Sequence, residues 1–167
     1  FVLSARHLHC APLALLLLSL CAHAGDLPRI ADIHLHWKWN QKEVIDASEA
    51  IKILREQNVG LAVVTGTPPE LALELQEIAP DIVRPIYGIY RIPGEWSSWH
   101  HDSDLLKRVR QALESGRYFG IGEIHMIGGF ISDWKNPVIA GLFNLAAEFD
   151  VPVLLHTEFS RANYTLG

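Results

Sequence analysis

The sequence is poor in cysteine, and both of its cysteines lie within residues 1–24. This segment carries Arg6, an apolar run over 11–21 and a small-x-small pattern at 22–24, which together are typical of a cleaved secretory signal. We therefore expect a mature chain without thiols. Disulfide scaffolds, cysteine nucleophiles and thiolate metal sites are excluded together.

Long hydrophobic runs are also scarce. The run at 11–21 is about half the roughly 20 apolar residues that a transmembrane helix needs, so an export signal is favoured over a membrane span. Lipid attachment at Cys21 is the less favoured alternative, because Leu20 is bulkier than the small residue expected before a lipidated cysteine. We predict a secreted or periplasmic protein whose only contact with a membrane is through this signal.

Basic residues are the minority among the charged ones. The 167-residue chain has 14 lysines and arginines against 19 aspartates and glutamates, which gives a net charge of −5. Because no basic stripe is present, nucleic acid is excluded as the expected partner, and a small-molecule substrate is predicted instead. The oligomeric state is left open.

What the sequence does contain is an alternation of short apolar runs with segments of helical period. This pattern is typical of βα units around a parallel sheet. Strands are predicted at 30–36, 61–65, 82–90, 119–125 and 151–156. The first helix is predicted at 42–57, with an apolar stripe that starts at Val44. The second is predicted to begin with a capping box, Thr67-Pro68-Pro69-Glu70, and to end at Pro80. The third is predicted to be capped by Asp102 or Ser103 and to bury Leu106, Val109 and Leu113, and the fourth is predicted to begin at Asn136.

The length predicts an incomplete barrel. A complete (β/α)8 barrel of the TIM type usually needs about 250 residues, with its catalytic groups at the C-terminal ends of the strands. Residues 25–167 hold about five βα units. We therefore expect an α/β fold that is a TIM-type barrel truncated after about the fifth strand, preceded by the signal peptide at 1–24.

Three of the predicted strands end in side chains that bind metals. The first carries His34 and His36, which share one face because side chains alternate along a strand; the fourth carries Glu123 and His125, and the fifth ends in His156. Barrel strands bring such ends to one mouth, and imidazole and carboxylate groups bind zinc at about 2.0 to 2.2 Å. The sequence predicts a divalent metal site. Glu123 and His125 each remain either a ligand or a hydrogen-bonding catalytic group.

Four neighbouring residues have two interpretations each. Asp32 either orients a ligating histidine or is a polar residue of the barrel interior. Arg91 either binds a substrate carboxylate or forms a surface salt bridge. Trp37 and Trp39 either line the substrate pocket or pack the barrel mouth.

The three metal-binding stretches resemble the amidohydrolase superfamily, and most closely its amidohydrolase-related branch of metal-dependent (β/α)8 barrels. The resemblance rests on 32–36, on 120–125 and on 153–156, in that order and at those intervals. It implies a mononuclear or binuclear divalent metal site, often zinc, with histidines matching His34, His36 and His156 and with Glu123 at the fourth-strand position. Family members also use a later histidine and a later aspartate, which lie beyond Gly167.

We therefore expect a metal-dependent hydrolase of an amide, lactone or other ester-like bond, with a metal-activated water and with Glu123 and His125 as the catalytic residues. A non-oxidative decarboxylase of the same fold is the first alternative. A non-catalytic binding module or remnant is the second. The chain by itself is expected to be an inactive fragment.

Overall fold

The computed structural model describes residues 28–126 and 136–157. The predicted signal segment, residues 1–24, lies outside these described residues. Within them, none of the helices combines the length and the hydrophobicity needed to cross a membrane.

The described residues form an alternating α/β structure. Its elements are β1 Ile30–Lys38, α1 Ala47–Glu56, β2 Val59–Thr67, α2 Leu71–Ile78, β3 Val83–Ile86, α3 Leu105–Glu114, β4 Ile121–Met126, α4 Pro137–Glu148 and β5 Val153–Thr157. Short 3-10 turns occur at Gln41–Glu43, Glu95–Ser97 and Trp99–His101. The predicted βα alternation is confirmed, although β3 is shorter than the predicted strand.

The strands are parallel and lie in sequence order. β1, β2 and β3 form one sheet, and β4 and β5 form a second. Tyr87, just after β3, joins the two: its main-chain N–H donates to the Gly120 carbonyl at 2.8 Å, and its carbonyl accepts from the Gly122 N–H at 2.9 Å. The described strands do not close into a barrel, so the TIM-type barrel stays a prediction.

Two hydrophobic clusters hold the helices against the strands. The first lies under β1 to β3 and is made of Trp37, Ile51, Val59, Ala62, Val64, Ala72, Leu75, Ala79, Ile82 and Val83. The second lies under β4 and β5 and includes Ile89, Leu105, Val109, Leu113, Ile121, Ile124, Ile139, Leu142, Leu145 and Ala146. Each cluster anchors strand ends that carry the candidate site.

The predicted start of the first helix is wrong. Helix α1 begins at Ala47, because the Asp46 side chain accepts a hydrogen bond from the Glu49 N–H at 2.8 Å and so caps the helix there. Val44 precedes this cap and is 81% exposed, so it does not belong to the buried stripe. Ile51 of that stripe is buried as predicted.

The predicted capping box before the second helix is also wrong. Thr67 is the last residue of β2, where it pairs with Lys38 and its carbonyl accepts from the Trp39 N–H at 3.2 Å. Thr67 therefore pairs within the sheet and does not cap the helix, as the sequence pattern had predicted it would. Helix α2 starts at Leu71 and ends at Ile78, so its predicted end before Pro80 is confirmed.

The last two helices follow the predicted pattern with two changes. Helix α3 begins after Asp104, so the predicted cap at Asp102 or Ser103 is wrong. The Asp102 side chain instead accepts a hydrogen bond from the Asp104 N–H at 2.9 Å, two residues before the N-cap position of the helix.

The Asn136 side chain accepts from the Val138 N–H at 2.8 Å and caps α4, as predicted. In α3 the buried stripe is Leu105, Val109 and Leu113, so Leu105 replaces Leu106. Leu106 is only partly buried and packs at the edge of the second cluster.

The first cluster predicts how two valines differ. Val64 is fully buried, and Val64→Ala should lower the free energy of unfolding by about 2 kcal/mol, because two buried methyl groups are lost and a cavity is left. Val44→Ala removes the same atoms from an exposed position and should change it by less than about 0.5 kcal/mol. Urea denaturation of both variants measures the difference, and equal effects would contradict this assignment of the core.

Candidate metal centre

The two histidines of β1 point to the same side of the strand. Their Nε2 atoms lie 3.0 Å apart, and the ring centroids are 4.9 Å apart. Burial lowers the pKa of His36, and the nearby charge of Lys38 lowers it further. A neutral imidazole is the form of histidine that binds a metal.

Glu123 of β4 is the group on which the histidines converge. Its side chain is buried, and the whole residue is only 2% exposed. Its Oε2 atom lies 3.4 Å from His34 Nε2 and 3.1 Å from His36 Nε2. Burial by itself raises the pKa of this carboxyl, but the hydrogen bond from His156 and the charges of the surrounding histidines outweigh it, so the pKa is lowered. The carboxylate is therefore ionised at neutral pH.

The other oxygen of the same carboxylate orients the histidine of β5. Glu123 Oε1 lies 2.5 Å from His156 Nδ1. An ionised carboxylate only accepts hydrogen bonds, so Nδ1 of His156 carries the proton and donates it. This is the usual way in which a carboxylate fixes the tautomer of a metal-binding histidine and leaves Nε2 as the coordinating atom.

His125 is held by a buried tyrosine and by a neighbouring ring. The Tyr90 hydroxyl lies 2.8 Å from His125 Nδ1 and 2.8 Å from the His125 main-chain nitrogen, whose N–H donates to it. The His125 ring also stacks on His156, with centroids 4.3 Å apart and planes 17° apart. Burial raises the pKa of Tyr90, so its hydroxyl stays protonated. Two contacts thus orient the His125 ring, and a third holds its main chain.

The convergence of these residues requires a curved sheet. Strands that follow the order β1 to β4 in a flat sheet would place β1 roughly 14 Å from β4, at about 4.8 Å per strand, with their side chains perpendicular to the sheet. Instead, the β1 histidines contact Glu123 of β4 directly. The strands therefore curl so that their C-terminal ends face one another.

Two groups of donor atoms in the described residues could hold a metal ion. One is His34, His36 and Glu123, and the other is Glu123, His125 and His156; in each group the donor atoms lie within 4.8 Å of one another. In the first group the three atoms form a triangle with edges of 3.0, 3.1 and 3.4 Å. A tetrahedral site with bonds of about 2.0–2.1 Å has edges of about 3.3–3.4 Å, so the donors fit such a metal.

The residues predicted beside the site differ in where they lie. Asp32 accepts a hydrogen bond from the His34 main-chain N–H at 3.0 Å, so it supports the backbone and not a ring. Trp37 is 4% exposed and packs in the first hydrophobic cluster. Trp39, the second tryptophan of the pair, lines a cavity that also reaches His125.

Arg91 is engaged in a network of ion pairs. Its guanidinium lies 2.8 Å from Glu95 Oε1 and 3.5 Å from Asp102 Oδ2, and Asp102 in turn pairs with Arg108 at 2.6 Å. Its main-chain N–H also donates to Glu95 at 2.6 Å. This geometry corresponds to the salt-bridge interpretation of Arg91, and its role toward a substrate stays a prediction.

Sequence reasoning missed Tyr90 and Lys38. Tyr90 fell within a predicted strand, and only the approach of β4 shows that its hydroxyl supports His125. Lys38 could have been found, because it stands two residues after His36 and therefore shares the face of both β1 histidines.

Comparisons of this chain with protein-family models, with curated proteins and with solved structures found no match. The resemblance to the amidohydrolase superfamily therefore rests on the motifs alone.

The Tyr90 contact predicts a cost for removing one hydroxyl. Tyr90→Phe should lower the free energy of unfolding by about 1–2 kcal/mol, because the His125 main-chain N–H loses its acceptor. Tyr118→Phe is the matched control, since the Tyr118 hydroxyl makes no hydrogen bond among the described residues and its loss should be close to neutral. Chemical denaturation compares the two, and a cost no greater for Tyr90 than for Tyr118 would argue against the contact.

The ion-pair network predicts a pH-dependent contribution from Asp102. The hydrogen bond from Arg108 lowers the pKa of this carboxyl despite its partial burial. Its stabilisation should therefore be full above the unfolded pKa of about 3.9 and should disappear as the pH falls through the lower folded value. Asp102→Asn should cost about 1 kcal/mol at pH 7, and the gap to the wild type should close below about pH 4.

Asp104→Asn is the control for this experiment, since Asp104 forms no ion pair among the described residues. Its unfolding free energy should follow the wild type across the same pH range. A difference between Asp102→Asn and the wild type that stays constant down to pH 2 would refute the linkage.

Proposed function

We propose that this protein is a metal-dependent hydrolase related to the amidohydrolase superfamily, acting on an amide, lactone or other ester-like bond. The observation that carries the proposal is the convergence of His34, His36 and His156 on the buried carboxylate of Glu123. Three strands separated in sequence supply these groups. A buried carboxylate surrounded by imidazoles matches the donor chemistry of a metal site better than that of a structural ion pair.

Zinc is the metal that this donor set favours. Imidazole nitrogens with one carboxylate suit zinc and neighbouring transition metals, whereas magnesium and calcium prefer sites made of oxygen atoms. Glu123 directs Oε2 toward the β1 histidines and Oε1 toward His156, so it would serve as a ligand for the first group while it orients His156. The two donor groups share Glu123 and could hold one metal ion or two.

A divalent metal, when bound, supplies a water of lowered pKa and a Lewis acid for the scissile carbonyl. The chain contributes the orientation of the groups around it. Strand β1 positions the Nε2 atoms of His34 and His36, and Tyr90 orients the His125 ring at the edge of an adjoining cavity. A substrate in that cavity would contact His125, which is our candidate for moving a proton to or from the leaving group.

Metal content tests the proposal directly. We expect the purified protein to hold about one or two divalent ions per chain, and the double substitution His34→Ala with His36→Ala should remove most of them, because both nitrogens of the first donor group are lost. The control is His100→Ala with His101→Ala, a neighbouring pair outside both donor groups, which should leave the metal content unchanged. Elemental analysis of the three proteins gives the answer.

Equal metal content in all three proteins would reject the site. If the metal is bound as expected, a screen of amide, lactone and ester substrates measures hydrolysis, with Glu123→Gln as the inactive reference. Release of carbon dioxide from a carboxylic acid without hydrolysis would favour the decarboxylase instead. Bound metal without any turnover in the full-length protein would favour a binding module.

A further inference from the structure

A cavity of about 230 Å³ adjoins the metal centre, and its composition indicates what it binds. His125 and Tyr90 form the side next to the donor cluster. Trp39 and Trp96 also line the cavity, as does Lys38 at the end of β1. The cavity is therefore lined by a histidine of the donor cluster, two tryptophan rings and one cationic side chain.

The aromatic walls are unusually exposed for their size. Trp39 is 45% exposed and Trp96 is 49% exposed, and Ile92, which also lines the cavity, is 60% exposed. Large apolar side chains that gather around one opening mark a binding site more often than chance surface exposure does. Tryptophan rings favour stacked or edge contacts with a flat ligand, and they add affinity beyond the area they bury.

The charge of the cavity has one sign. No aspartate or glutamate is among its described lining residues, and Lys38 forms no ion pair with any carboxylate in the described ranges. Strand alternation puts Lys38 on the face of His34 and His36. Lys38 thus lines the cavity next to the metal centre without forming an ion pair with a carboxylate of the described ranges.

The volume is sufficient for a small aromatic ligand. A cavity of about 150 Å³ is large enough to hold benzene. A volume of about 230 Å³ therefore accommodates at least one aromatic ring with a small substituent. The ligand that fits the walls and the charge, and that the volume admits, is a small aromatic anion.

We propose that this cavity is the substrate subsite and that it selects a small aromatic carboxylate, with Lys38 pairing to the carboxylate and Trp39 and Trp96 holding the ring. The hydrolysable group of such a substrate would face His125 and the donor cluster. As a substrate class, this inference rests on the proposed metal-dependent hydrolysis. Lys38 is the specificity-determining residue.

Benzoate and benzyl alcohol are the probes that test the selection, because they share the ring and differ in charge. Binding to the full chain is measured by calorimetry after removal of metal with a chelator, so that benzoate has no metal to bind. Benzoate should bind about tenfold more tightly than benzyl alcohol, the gain expected from one charge-assisted hydrogen bond. Equal affinities would overturn the proposal.

Three lysine variants test whether Lys38 is the source of the preference for benzoate. Lys38→Met should reduce the preference for benzoate to about onefold, and Lys38→Arg should retain it, since both Lys and Arg carry a positive charge. Lys42→Met is the matched control, because Lys42 pairs with Glu74 at 2.8 Å outside the cavity, and it should keep the wild-type preference. A preference that survives in Lys38→Met, or that is lost in Lys42→Met, would overturn the assignment.

The same proteins separate this inference from the proposed function. Lys38→Met should keep the metal content of the wild type, because lysine is not among the donor groups. A wild-type protein that binds metal but does not discriminate between the probes would overturn the substrate class alone. A protein that discriminates between them but binds no metal would reject the hydrolase and still support the aromatic anion site.

Discussion

The buried carboxylate of Glu123 is the constraint on which the rest of the site depends. Removing a carboxylate from water costs several kcal/mol unless opposite charge and hydrogen-bond donors surround it. Here His156 of β5 donates a hydrogen bond and the histidines of β1 lie 3.1 and 3.4 Å away, so the carboxylate keeps its charge only if the ends of three strands stay together. The ionised state of Glu123 therefore depends on the curvature of the sheet that brings the histidines to it. A bound cation would stabilise the same arrangement.

The surroundings of the cluster divide into supporting and recognising groups. Tyr90 orients the ring of His125, and Asp32 accepts a hydrogen bond from the main chain of His34. Both histidines belong to the donor groups. Lys38, Trp39 and Trp96 of the cavity belong to neither donor group and offer aromatic surface and one cation, whereas His125 belongs both to the cavity and to one donor group.

Prediction from the sequence succeeded where the pattern was local and failed where tertiary contacts competed with it. The βα alternation, the Asn136 cap and the end of α2 before Pro80 follow from hydrophobic period and proline chemistry. The capping box at Thr67 failed because β1 pairs with that residue and extends the strand. The prediction that Val44 belongs to the buried stripe of α1 was wrong because Asp46 caps the helix two residues later. Hydrophobic period alone does not show where a helix is capped.

The sequence by itself determined the candidate donor residues, because histidines and a glutamate at the ends of three strands follow from period and order along the chain. Only the tertiary structure decided their partners: that both oxygens of Glu123 are used, that Tyr90 orients His125, and that Trp37 is buried whereas Trp39 lines the cavity. The physical reason is distance along the chain. Strand period fixes which face a side chain takes, but the curl of the sheet brings together residues nearly ninety positions apart, such as His36 and Glu123.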